Sequence, residues 1–239
     1  MEADAAKKIV DTAFKDVFGI DNPFSLDETK AAFAYDIPLP VKTKSIFGND
    51  TTWGEFKKGV KVASETELYK KSLKGELMQP RKAINSMSEL LKIWGEIDYY
   101  TGDRVLDSRD VHESDSIYGS AGIYRSMMML SSQNMVFCYN CDSSKNLVAS
   151  RDSFASTSSF RLNQTGYTSS SYDVIWSSKV SKSLFINNCF DLFECMFCNN
   201  IRSRKYCIAN MQFEKEEYTK VKEMVLAWIV DGLKKRAKR

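Results

Sequence analysis

Asn134-Met-Val-Phe, followed twelve residues later by Asn146-Leu-Val-Ala, opens a series of short apolar segments set in polar surroundings, and the series decides the fold. It continues with Ser159-Phe-Arg-Leu, Asp173-Val-Ile-Trp, Ser183-Leu-Phe-Ile, Glu194-Cys-Met-Phe and Lys205-Tyr-Cys-Ile. The starting positions lie 12, 13, 14, 10, 11 and 11 residues apart. Such spacing fits a short strand plus a polar corner, wound repeatedly so that each rung stacks on the last, which is a β-solenoid. The rival is a serine-rich antiparallel sandwich, whose strands recur at similar intervals. Sandwiches use proline and glycine turns, and no proline follows Pro80.

If side chains alternate along each strand, the first and third members of each triplet point into the coil. These are Met135, Phe137, Leu147, Ala149, Phe160, Leu162, Val174, Trp176, Leu184, Ile186, Cys195, Phe197, Tyr206 and Ile208, all apolar or aromatic. The middle members face out, and Val136, Val148, Ile175, Phe185 and Met196 form an apolar outward row, with Arg161 the exception. A row of this kind is a candidate interaction surface, because large apolar patches are seldom left in water. Either the chain's own N-terminal helices or a neighbouring subunit should cover it.

Before the repeats, residues 3–18 place Ala6, Ile9, Val10, Ala13, Phe14, Val17 and Phe18 at helical spacing. Ser25-x-x-Glu28 has the form of a capping box ahead of a second short helix, and Pro38 and Pro40 then enforce an extended segment. Val41 to Lys58 reads as a hairpin around Gly48-Asn49-Asp50; Ser64-x-x-Glu67 starts a further helix, and Met87 to Ile97 another. After the repeats, Phe213 to Lys235 sets Tyr218, Val221, Val225, Trp228 and Ile229 on one helix face and charges on the other, suited to closing the open end of the stack. The expected class is α+β, in three parts: a mixed helical and hairpin region over 1–104, a β-solenoid over 105–212, and a C-terminal capping helix with a basic tail over 213–239.

At 239 residues and 43% hydrophobic content the chain can bury a substantial core. The longest uncharged apolar run, Met224 to Val230, is far too short to span a bilayer. The N-terminus lacks the pattern of a secretory leader, so synthesis in the cytoplasm is expected and the Asn-x-Thr triplets at Asn49 and Asn163 carry no glycan. The formal charge of +3 is concentrated in the tail, where Lys234, Lys235, Arg236, Lys238 and Arg239 face a single acid, Asp231. The body is therefore close to neutral, and nucleic acid is a partner only through that tail, if at all. Its simpler role is a solvated helix end whose cations suit the negative pole of the helix dipole.

Few residues suggest chemistry. All six cysteines lie in the repeats, as Cys138-x-x-Cys141, Cys189, Cys195-x-x-Cys198 and Cys207. Two such pairs are what a zinc site uses, but 53 residues separate them and the same strand end recurs in both, so the thiols read as small buried side chains stacking between rungs. The acidic run Asp98, Asp103, Asp107, Asp110, Glu113 and Asp115 is the candidate for paired-carboxylate work, set against a solvated loop leading into the first coil. His112 is the single histidine, and no phosphate-binding loop or dinucleotide fingerprint is present. No cofactor, metal or catalytic residue is assigned, and the chain is not expected to be an enzyme.

The stretch Lys205-Tyr-Cys-Ile-Ala-Asn-Met-Gln-Phe-Glu-Lys-Glu-Glu-Tyr218 resembles a recurrent phrase, Lys-Tyr-Cys-Ile-x-Asn-x-Gln-Tyr-x-Lys-Glu-Glu-Tyr. The phrase belongs to uncharacterised Ser/Asn/Cys-rich solenoid proteins of candidate-phylum bacteria and to similar virion structural proteins of large tailed phages. It covers the last coil and the start of the final helix, with looser similarity back to about residue 115. The bacterial versions are richer in cysteine, with zinc-ribbon-like pairs that this chain does not reproduce. The resemblance implies a structural role: a virion component on capsid or tail, made in the host cytoplasm, with other virion or scaffold proteins or further copies of itself as partners and no membrane. The alternatives are a carbohydrate-acting β-helix enzyme and a bacterial intracellular binding scaffold.

Overall fold

A computed structural model describes residues 1–48 and 50–238; Asn49, expected in the hairpin turn, and Arg239, the last residue of the tail, lie outside the described residues. The chain is a mixed α+β protein in which an N-terminal helix and strand region leads into a β-solenoid of about nine turns, followed by a C-terminal helix.

Helix α1 (Ala3–Phe18) buries Ala6, Val10, Ala13, Phe14, Val17 and Phe18 along one stripe and stops at Gly19, whose φ of 74° lets its N–H reach the Lys15 carbonyl. Helix α2 (Leu26–Phe33) starts at the Ser25/Glu28 capping box, with both reciprocal hydrogen bonds present. Strands β1 (Val41–Lys44) and β2 (Thr51–Gly54) pair antiparallel. Strand β3 (Lys61–Ser64) leads through a Ser64 cap into α3 (Glu65–Leu73), and after α4 (Met87–Ile97) it is joined in parallel by β4 (Tyr99–Gly102). Each of these helices lies where the sequence pattern places it.

From Val105 to Lys205 the chain runs mostly in four-residue strands, each paired in parallel with strands 12 residues before and after it: Gln133 lies beside Ala121 and Lys145, Leu184 beside Tyr172 and Met196. At about 4.8 Å per turn the stack is roughly 40 Å long. It ends where Cys207–Ile208 turns back against Met211–Gln212 in an antiparallel pair, after which α5 (Lys215–Ala237) folds back along the flank of the last turns.

The 12-residue turn consists of four triplets, and the backbone shows why. From Asp107 to Ala209 every third residue has a positive φ, near +50°. That left-handed conformation is strongly disfavoured for β-branched side chains and impossible for proline, and no Val, Ile, Thr or Pro occupies any of these positions. Asn, Asp, Ser and Gly take many of them. At Gly122 (φ +68°) a Cβ would lie 2.7 Å from the Asn134 Oδ1 one turn on, so glycine is needed there for space as well. The amides also ladder from turn to turn: Asn134 Nδ2 donates to Asn146 Oδ1 at 2.9 Å, and Asn140 Nδ2 to Asp152 Oδ1 at 2.6 Å.

A left-handed residue at every third position resets the alternation of side chains, so the interior is filled at period three rather than two. From Ser114 to Cys198 each third residue is buried, and serine is the commonest occupant. Serine fits because the bore is narrow and its hydroxyl completes the backbone. Ser120 Oγ donates to the Tyr118 carbonyl at 2.8 Å and accepts the Ser132 N–H at 3.0 Å; the same pattern recurs at Ser126, Ser132, Ser144, Ser156, Ser171 and Ser183. Ile117, Ile123, Met129, Met135, Leu147, Leu162, Val174 and Ile186 supply the apolar part of this interior, along with the cysteines.

The period of three corrects the inward set. Met135, Leu147, Leu162, Val174, Ile186 and Cys195 do point into the bore. Phe137, Ala149, Phe160, Leu184 and Ile208 instead lie on the outer flank under helices, and Tyr206 packs there beside Tyr218. Trp176 is 63% exposed, and Phe197, also exposed, sits next to Trp228. The interior serines, read as polar corners, take the places assigned to these residues.

Candidate functional site

The covered flank is the first surface the sequence singled out. One residue per turn, in the column Tyr124, Val136, Val148, Phe160, Tyr172, Leu184, Met196 and Ile208, faces outward and is buried. Helix α1 crosses the lower turns, where Phe14 meets Phe160 edge-on at 6.0 Å and Phe18 meets Tyr172 at 5.4 Å; α2 adds Phe33, 4.8 Å from Phe160. Helix α5 covers the upper turns through Tyr218, Val225, Ile229 and Leu233. Of the expected outward row, Val136, Val148 and Met196 are therefore buried by the chain's own helices, and Phe185 is half-buried with its ring 5.9 Å from that of Trp228. Ile175 is half-buried beside Asp36 and Ile37 in a small hollow. The part played by α5 in this cover was not legible in the sequence.

The helices are pinned by charge as well as by rings. Arg161, at a left-handed corner, donates from Nη1 to the Phe33 carbonyl and to Asp36 Oδ1, both at 2.7 Å, and from Nη2 to Asp36 Oδ2 at 3.1 Å. Its Nε lies 3.7 Å from Asp173. Burial pushes the Asp36 carboxyl up, but the hydrogen bonds and charge of Arg161 outweigh it and hold the group below its usual range. Asp173, with burial the dominant influence, is pushed up.

The acidic run does not converge. Asp103 accepts the Trp53 N–H at 2.9 Å and is pushed up by burial. Asp115 is buried and takes the Arg104 guanidinium in two contacts, at 3.0 and 2.6 Å, together with the Arg104 N–H. Glu113 pairs with Arg125. Asp107 and Asp110 occupy exposed left-handed corners, and Asp98 ends α4. His112 stacks on Tyr124, rings 4° from parallel and 5.8 Å apart.

All six cysteines are free thiols inside the bore. Cys138 and Cys141 donate to the carbonyls two residues back, as serine does elsewhere. Burial pushes Cys141 up, whereas the neighbouring Cys195 thiol brings Cys198 down to about 7. Among the described residues no group of three or more His, Cys, Asp or Glu has the arrangement of a metal site. In the basic tail, Lys235 pairs with Asp231 at 2.7 Å, and the Arg236 guanidinium lies over the Tyr35 ring at 4.1 Å. Lys234 and Lys238 are exposed.

Helix α4 carries an apolar face that meets no other part of the chain's core. None of its residues is buried; Met87, Leu91 and Trp94 are more than half exposed, with Leu90 and Ile97 on the same side. The spacing of 87, 90, 91, 94 and 97 is a helical apolar stripe, so the signal was present. Among the described residues no helix is long and apolar enough to cross a membrane. No family model, curated protein or solved structure matches the chain.

Proposed function

We propose that this protein is a structural component of a larger assembly, a rigid spacer rather than a catalyst. The solenoid carries the reading: each turn contacts only its neighbours through the same parallel pairing and interior hydrogen bonds, which makes the stack a rod of fixed length. The helices that cover its flank leave the apolar stripe of α4 as the part suited to contact another protein of the assembly.

The finer reading is a virion-associated protein of a tailed phage, on capsid or tail, assembled in the host cytoplasm. What supports it is the phrase from Lys205 to Tyr218, which spans the last solenoid turn and the first turn of α5. Quantitative mass spectrometry of purified particles tests it. Stoichiometric copies are expected in wild type, with loss of incorporation in a Leu91→Lys, Trp94→Lys variant whose circular dichroism is unchanged. Particles that lack the chain would sink the virion reading, and normal incorporation of the variant would remove α4 from it.

A further inference from the structure

Where α2, α5 and the solenoid flank meet there is a hollow of about 210 Å³ walled by Tyr35, Tyr172, Phe185 and Trp228, with Asp173 and Arg236 at its polar side. The rings come from three separate elements and stand at steep angles to one another: Tyr172 and Phe185 are 5.3 Å apart at 81°, Phe185 and Trp228 5.9 Å apart at 57°. Four rings thus line one volume, with one face of Phe185 stacked on Phe197, and aromatic rings attract a cation through their quadrupoles. Tyr172 is buried, whereas Tyr35 and Trp228 are more than half exposed, so the hollow is open on one side.

The carboxylate of Asp173 adds a negative charge. Among the described residues it accepts no hydrogen bond, and its nearest ionic partner, Arg161 Nε, is 3.7 Å away and already engaged in pairing with Asp36. A partly buried, incompletely satisfied carboxylate beside four aromatic rings calls for a positive ligand. Asp173 is the one carboxylate among the lining residues, so a free ligand with several N–H groups would leave some of them without an acceptor. A methylated ammonium needs none. The chain also places a cation of its own at this spot: the Arg236 guanidinium lies over Tyr35, on a ring that Arg161 also approaches at 4.3 Å.

We propose that this hollow is an aromatic cage for a quaternary or trimethylated ammonium group, and that Arg236 of the basic tail competes for it. The ligand sits among Tyr35, Tyr172, Phe185 and Trp228 with its charge near Asp173, and takes the place of the Arg236 guanidinium on Tyr35. Ligand binding in this cage does not depend on the assembly role.

Calorimetric titration of the full chain with choline, and in parallel with its neutral isostere 3,3-dimethyl-1-butanol, tests it. Choline binding is expected in wild type and should tighten in Arg236→Ala. It should weaken about tenfold or more in Trp228→Leu and in Asp173→Asn, as loss of a desolvated cation–π contact or of the charge implies. Circular dichroism and the melting temperature of each variant show that it is folded. The proposal is overturned if wild type and Arg236→Ala both fail to bind choline at millimolar concentration, if the neutral isostere binds as well as choline, or if Trp228→Leu and Asp173→Asn, both folded, leave the affinity unchanged. Repeating the titration with phosphocholine and with a peptide bearing trimethyl-lysine tells a headgroup source from a protein one; binding of either supports the cage.

Discussion

Ser132 joins two turns of the solenoid: its Oγ accepts the Ser144 N–H at 3.2 Å while donating to the Leu130 carbonyl at 2.9 Å, and its own N–H is taken by Ser120 Oγ one turn below at 3.0 Å. The hydroxyl column is thus part of the backbone hydrogen-bond system. Ser132→Ala leaves the buried Ser144 N–H without that acceptor and should cost about 1–3 kcal/mol, the usual penalty for a stranded buried polar group. Ser132→Cys should cost less, because a thiol keeps the donated bond to the carbonyl two residues back, as at Cys138, and its sulfur is a weak acceptor for the N–H. Urea unfolding of the two variants measures the difference, and an Ala variant as stable as wild type would contradict the role given to the hydroxyl.

Phe160 lies under both N-terminal helices, with Phe33 4.8 Å and Phe14 6.0 Å away, and is fully buried on the outside of the rod. Phe160→Ala opens a cavity between helix and solenoid and should destabilise by about 3–5 kcal/mol. Hydrogen exchange should show the loss first in α1 and α2. Trp176→Ala, an aromatic substitution at a 63% exposed site, should change stability little.

Asp36 binds its proton more weakly in the folded protein than in the unfolded chain, because Arg161 favours the carboxylate. Its contribution to stability is therefore complete above the unfolded carboxyl value of about 3.9 and is lost as pH falls through that value towards the lower folded one. The urea midpoint of wild type should exceed that of Asp36→Asn at neutral pH, and the gap should close in acid. A gap independent of pH would mean that the pair contributes through shape alone.

Thiol reactivity should follow position along the rod. Cys198 and Cys207 lie on the terminal turn and Cys198 has the lowered pKa, whereas Cys138 and Cys141 are covered by turns on both sides. Time-resolved alkylation with mass spectrometry should label the terminal pair first, through fraying of the end, and the inner pair only with global unfolding.

The helices and the solenoid were legible because α1 and α4 carry unbroken helical stripes and the apolar segments recur at nearly fixed spacing. The bore was not legible from alternation. Its period of three is set by the left-handed residues, and the clue lay elsewhere, in Asn134, Asn140, Asn146 and Asp152 spaced by multiples of three while β-branched residues avoid those places. Serine misled for a related reason: it is usually a surface residue, and only the hydroxyl bonds between turns show why Ser120, Ser132 and Ser144 are inside. The aromatic cage could not be seen at all, since Tyr35, Tyr172 and Trp228 meet only after both ends of the chain fold onto one flank.

One turn has no hydrocarbon in its bore: its four inward side chains are Ser150, Ser153, Ser156 and Ser159. That turn is held to the next by backbone pairing and hydroxyl bonds, such as Leu162 N–H to Ser150 Oγ and Thr168 N–H to Ser156 Oγ, both at 3.1 Å, and the same stretch ends at Phe160 and Arg161, the residues clasped by Phe14, Phe33 and Asp36. The N-terminal segment thus acts as a splint over the turn that lacks an apolar bore. A pulling experiment on the intact molecule should find that shedding this splint comes before rupture of the stack.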